Sequence, residues 1–136
     1  MSIEANKAIV RRIHEDLESR GDLRVADEVY GPDVVTSRWA ERLPGAEGVK
    51  RHLVMLRTAF PDLQVTIFDL VGERDEVVAR LTMRATHRGP FRGRPPTGVA
   101  VEWSGVVIRR IVDGRVIAEW SLFDTQTLIQ QIDAGG

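Results

Sequence analysis

Apolar and polar residues alternate almost without fault between Val77 and Thr86. Val77, Ala79, Leu81, Met83 and Ala85 fall on one side, and Arg80, Thr82, Arg84 and Thr86 on the other. A period of two marks a half-buried antiparallel strand. Two further β-rich runs follow, Val99 to Ile111 and Arg115 to Phe123, joined by Asp113-Gly114. That dipeptide between two such runs is the strongest short-range signal for a hairpin. The long loop RGPFRGRPPTG separates the first strand from this pair, and Asp124 can cap a short final helix.

Upstream the spacing becomes helical. Val10, Ile13 and Leu17 form the buried stripe of a helix that starts after Ser2 and stops at Gly21. Asp22 can cap a short second helix, Leu23 to Tyr30, which Gly31-Pro32 ends. A brief strand, Val34 to Trp39, leads to a loop over Ala40 to Ala46 with Pro44-Gly45 at its turn. Glu47 to Phe60 reads as the third helix, with Val49, Leu53, Leu56 and Phe60 as its seam and His52 and Met55 as core-edge residues. Pro61 ends it. Leu63, Val65 and Ile67 open a strand that turns at Gly72 to Asp75 into Val77. Helices segregated from antiparallel strands make an α+β protein rather than a doubly wound sheet. The pattern suggests a curved sheet that helices close off into a pocket.

The inner face of the last two strands is less plain. Val101, Trp103, Gly105 and Val107 alternate with Glu102, Ser104, Val106 and Ile108, so both sides are mixed. In the final strand Val116, Ala118, Trp120 and Leu122 alternate with Arg115, Ile117, Glu119, Ser121 and Phe123. Periodicity alone buries the even side and leaves Glu119 in water. His14 falls within the stripe of the first helix, either as a core histidine with one hydrogen bond or as a pocket group. His87 continues the apolar side of its strand, as a rim hydrogen-bonder or a cavity-facing group.

Composition narrows the classes. A chain of 136 residues is one domain, 1–136, large enough for its own core. A net charge of -1 provides no basic field for nucleic acid or an anionic membrane. With no cysteine, thiol catalysis, disulfides and Cys-ligated zinc are excluded. No apolar run approaches the roughly 20 residues of a membrane span, and MSIEANKAIVRR lacks the apolar core of a signal peptide. The expectation is a soluble cytoplasmic protein. No Gly-rich phosphate loop, nucleophile elbow or metal-spaced His/Asp cluster is present.

THRGPFRGRPPTGVAVEWSG and RIVDGRVIAEW resemble the SnoaL-like polyketide cyclase family of the nuclear-transport-factor-2-like superfamily. NKAIVRRIHEDLESRGDL and LRTAFPDLQVTI are similar to its first and third helices, so the resemblance covers essentially the whole chain. It implies a cone-shaped, strongly curved, mostly antiparallel sheet wrapped around N-terminal helices and enclosing an apolar pocket. It also implies a homodimer through the outer face of the sheet. Odd positions of the last two strands would look into the pocket and even ones would serve the dimer. Glu119 then faces the cavity, against the reading from periodicity, and Val116, Ala118, Trp120 and Leu122 lie at the interface.

The founding members close a ring by intramolecular aldol addition, with no metal or cofactor, after a carboxylate removes an acidic carbon proton. That aspartate falls at Ser121 here, and its assisting glutamine and histidine fall at Gly105 and Val107. Glu119, on the same face as Ser121, is the candidate acid/base group, and desolvation in an apolar cavity would raise its pKa. His14, where relatives often carry tyrosine, would assist it. His87 matches the histidine of the family's G-T-H motif, with Ala85 in place of the glycine. Trp39, Met83, His87, Trp103 and Ser121 would contact a hydrophobic or aromatic substrate, with Phe60 left to the core. The expected function is acid/base catalysis of a cyclisation or isomerisation by Glu119 with His14 or, as the alternative partner, His87, without cofactor or metal. The alternative is a non-catalytic binding or accessory protein for a hydrophobic small molecule. Hydrolysis, for instance of an epoxide, is a third reading that lacks an evident acidic pair bridged by arginine.

Overall fold

The Ser2 hydroxyl accepts a hydrogen bond from the Ala5 amide at 3.0 Å and starts the first helix. In this computed structural model, residues 2–36 and 45–135 are described. Helix α1, Ile3–Arg12, runs without a break into a π-helical segment, Ile13–Ser19. The apolar stripe behaves as expected: Val10, Ile13 and Leu17 are buried, and so is His14. Helix α2, Arg24–Val29, is shorter than the spacing predicts, because Tyr30 is already extended and opens strand β1, Tyr30–Thr36. The predicted strand Val34 to Trp39 therefore begins earlier. Trp39 and the loop residues 40–44 lie outside the described residues.

Helix α3, Gly45–Ala59, buries Val49 and Leu53, and Phe60 just beyond it is fully buried. The Arg57 guanidinium donates to the Glu18 carbonyl at 2.7 Å and the Ser19 carbonyl at 3.1 Å, fastening α3 to the end of the π-helical segment. Strands β2 (Gln64–Glu73), β3 (Glu76–Thr86), β4 (Ala100–Val112) and β5 (Arg115–Phe123) follow, and helix α4, Thr125–Gly135, closes the chain. The five strands form a curved, unclosed sheet in the order β1-β5-β4-β3-β2. Among the described residues only the β1–β5 pairing is parallel. Asp113 and Gly114 both have positive φ, 52° and 78°, as a tight primed turn requires.

The odd side of β3 is buried from Val77 to Ala85, and the odd side of β4 from Val101 to Ile111. Strand β5 changes parity. Ile111 pairs with Val116 but Arg110 pairs with Ala118, leaving Ile117 as an extra residue in a β-bulge. Val116 and Glu119 are consequently both buried, at 0% and 2% exposure, although three positions apart. The interface position that the resemblance implies for Val116 is thus corrected. Before the bulge the even residue faces the core, and after it the odd residue does. Trp120 and Leu122 are exposed on the outer face, at 50% and 80%.

Candidate functional site

Among the described residues, five polar side chains meet beneath the inner face of the sheet. Arg109 continues the inward series of β4 and pairs across the strands with Glu119 of β5. Its Nε donates to Glu119 Oε2 at 2.8 Å, and the Tyr30 hydroxyl donates to the same oxygen at 2.7 Å. On the other side, Arg109 Nη1 meets His14 Nε2 at 2.8 Å, and His14 Nδ1 meets Glu18 Oε1. Tyr30 stands at the start of β1 and the two acidic-basic partners His14 and Glu18 on the π-helical segment, so four elements build the chain.

The roles of the donors follow from chemistry. A guanidinium can only donate, so His14 Nε2 must accept and Nδ1–H must donate to Glu18. His14 is therefore neutral, in one tautomer. Burial, the largest influence, lowers its pKa, and the nearby Arg109 charge acts in the same direction, against Glu18. Burial raises the Tyr30 hydroxyl above its ordinary range and the Glu119 charge raises it further, so Tyr30 remains a donor. For Arg109, burial works against the charged form, but Glu119 and its other neighbours outweigh it and hold the pKa above the ordinary value. A buried ion pair with hydrogen bonds on both sides is the condition under which such charges are tolerated away from water.

Beside this chain lies a cavity of about 350 Å³. Leu56, Leu63, Met83, Trp103, Phe123 and Leu128 are among its apolar walls, and Glu18, His52, Ser121 and Thr125 are among its polar ones. The group that joins the cavity to the buried chain is Glu18. Helix α3 presents His52 and Met55 to the same space, so the two core-edge residues of the sequence are cavity residues. Gly105 faces Phe123 directly across the strands, and its missing side chain leaves room for the phenyl ring to lie on the backbone. Among the described residues no group of three or more His, Cys, Asp and Glu side chains is placed to hold a metal ion. None of their helices is long and apolar enough to cross a membrane.

The model of the family described as SnoaL-like polyketide cyclase matches residues 8–132. The chain belongs to the SnoaL-like polyketide cyclase family. Among curated proteins no sequence match was found. Solved structures of similar chains include AclR from Streptomyces galilaeus, provisionally assigned as a hydroxylase. It is 31% identical over 98% of this chain and 83% of AclR, with a TM-score of 0.86. TsrD from Streptomyces laurentii is 26% identical over 98% of both chains, with a TM-score of 0.90. IdmH from Streptomyces antibioticus, provisionally assigned as a polyketide cyclase, is 30% identical over 94% of this chain and 98% of its own, with a TM-score of 0.81. The nuclear-transport-factor-2-like cone fold is common to these structures and this one.

Within that family frame, the structure distributes the candidate residues over three places. Met83, Trp103 and Ser121 line the cavity. Glu119 and His14 face inward but meet Arg109 rather than the cavity wall, so Glu119 sits in an ion pair and not in the apolar surroundings expected for it. His87 is fully buried away from the cavity lining: its Nδ1 bonds Thr97 Oγ1 at 2.9 Å, and its ring lies 5.8 Å from that of Phe60. It fastens the β3–β4 loop. Trp39 is outside the described residues.

Three members of the buried chain, Arg109, Tyr30 and Glu18, are missing from the sequence reading. Arg109 could have been found by extending the inward series Trp103, Gly105, Val107 by one step, where a charge on an apolar face asks for a partner. Glu18 stands one helical turn after His14, a spacing that places both on one face. For Tyr30 the only signal is its place at a helix end.

Proposed function

We propose that this protein is a cofactor-free acid/base enzyme of the cyclase or isomerase type, acting on a hydrophobic, ring-bearing carbonyl compound. The observation that carries this reading is Glu18, a carboxylate in an otherwise largely apolar cavity, hydrogen-bonded to a buried neutral histidine. Glu18 takes a proton from the carbon beside the substrate carbonyl. The resulting enolate either attacks a second carbonyl of the same molecule, closing a ring, or is reprotonated at another carbon. Glu18 returns the proton to the new alkoxide or carbon. His14 holds Glu18 in place through Nδ1–H, Arg109 fixes the His14 tautomer, and Glu119 with Tyr30 neutralises and orients Arg109. Glu119 and His14 thus act from behind the carboxylate that meets the substrate. The name given to IdmH supports a cyclase-type reaction, and the name given to AclR shows that similar chains are linked to other chemistry.

The test is deuterium exchange at the acidic carbon of 2-tetralone, followed by NMR in deuterated buffer. The wild type should accelerate exchange, and Glu18→Gln should lose about a hundredfold or more of that acceleration while keeping its circular dichroism. Unchanged exchange in a folded Glu18→Gln would overturn the assignment. The burial of His14 and Glu119, at 0% and 2% exposure, favours a second reading in which the pocket binds a hydrophobic molecule without turnover. In that case the ketone binds and its protons do not exchange. We further propose a homodimer through the outer face of β4 and β5, where Val106, Trp120 and Leu122 expose apolar surface.

A further inference from the structure

The loop between β3 and β4 carries an arginine that the buried chain does not use. Phe91 and Arg94 close a two-residue turn by reciprocal backbone hydrogen bonds, Phe91 N to Arg94 O at 3.0 Å and Arg94 N to Phe91 O at 2.9 Å. The residues between them, Arg92 and Gly93, have left-handed backbone, with φ of 47° and 79°. Glycine, asparagine or aspartate suits the first of these positions, and arginine there is strained. Such strain persists only where the surroundings impose it, and it gathers at functional positions. Here the surroundings are firm. The Phe91 ring lies 5.3 Å from that of Phe60, and Arg94 is paired with Asp133 of α4 at 2.7 Å. The Arg88 and Gly89 amides donate to the Ala59 carbonyl at 3.0 Å and 3.1 Å.

This bracket sets Arg92 in the wall of the cavity. It is exposed, whereas Glu18 of the same cavity is 7% exposed, so the two mark an outer and an inner end. Among the described lining residues Arg92 alone carries a permanent positive charge. It has no ion-pair partner among the described residues, and its guanidinium rests 5.5 Å from the centre of the Phe91 ring. Arg94, two residues on, is already taken by Asp133.

We propose that Arg92 receives a carboxylate on the pocket's ligand, so that the substrate class is a ring-bearing carbonyl compound with an acid group at its outer end. This rests on the acid/base reading above and adds the substrate's charge and orientation. The planar guanidinium offers two parallel N–H donors that match a carboxylate, and a ring stacked beneath leaves that edge usable. At the outer end the acid group keeps part of its hydration. At the inner end Glu18 repels it, so the ligand enters carbonyl first.

Calorimetric titration with 2-naphthylacetate and its neutral isostere 2-naphthylacetamide at low salt tests this. The wild type should bind the acid about tenfold more tightly than the amide, a margin that shrinks with added salt. Arg92→Gln should bring the ratio to about one by weakening only the acid. Arg92→Gly should do the same without lowering the thermal midpoint, since glycine relieves the left-handed strain. Equal wild-type affinities, binding of neither probe, a ratio kept by Arg92→Gln, or a lower midpoint in Arg92→Gly would each overturn the proposal. Acid preference without exchange of 2-tetralone protons would overturn the acid/base reading alone, and exchange without acid preference would overturn only this one.

Discussion

Arg109 joins Glu119 to His14, and its burial at 0% exposure is tolerable only because both partners are present. Arg109→Met would remove the guanidinium that pairs with the buried Glu119 carboxylate, a loss of about 3–5 kcal/mol measurable by urea denaturation. Adding Glu119→Leu to that variant should restore part of the stability, because two apolar side chains then replace the pair. His14 gives a pH dependence of known sign. Burial holds its pKa below the ordinary 6.5, so the folded protein stays neutral at His14 where the unfolded chain takes up a proton. Its contribution is complete above about pH 6.5 and is lost as the pH falls below that value toward the depressed one. The urea midpoint should therefore drop between pH 7 and pH 5, and His14→Gln should make that drop smaller. At this scale the sequence shows His14 and Glu119 as unusual polar residues near apolar faces. It cannot show that an arginine on another strand stands between them.

Among the elements, β5 departs furthest from its own pattern. A strict period of two assigns Val116 and Glu119 to opposite faces, and the bulge at Ile117 puts both inside. Neither periodicity nor resemblance predicts that switch, because a bulge is settled by the register of the neighbouring strand. The π-helical segment is similar: the apolar stripe predicts a helix over these residues but not its wider turn. Gly105 provides the test at this scale. A Cβ there would come within 2.3 Å of the Phe123 ring, and the ring borders both the strand and the cavity. Gly105→Ala should destabilise the protein by about 1–3 kcal/mol through overpacking, read as a lower denaturation midpoint. A neutral result would mean that the ring swings into the cavity at no cost.

For the whole molecule, the proposed dimer makes the outer face of the sheet the surface to test. Leu122 is 80% exposed and pairs laterally with Val106, next to half-exposed Trp120. If two copies cover this face, light scattering after gel filtration should give twice the chain mass of 15.2 kDa. Leu122→Glu should then give monomers, since a charge in the middle of such a contact goes unpaired. A monomeric wild type would refute the dimer and leave the pocket chemistry untouched.

The order of helices and strands, the inner faces of β3 and of the first helix, and the family were all determined by the sequence. Each rests on spacing or on motif residues close together in the chain, as with Val77 to Ala85 or Asp113-Gly114. The site was decided only by the tertiary structure. Tyr30 and Glu119 are 89 residues apart, and Arg109 and His14 are 95. Their contacts exist because the sheet bends over the π-helical segment, and no local pattern records a distance across that bend. The same holds for Glu18, which became the candidate acid/base group when the folded chain set it in the wall of the cavity.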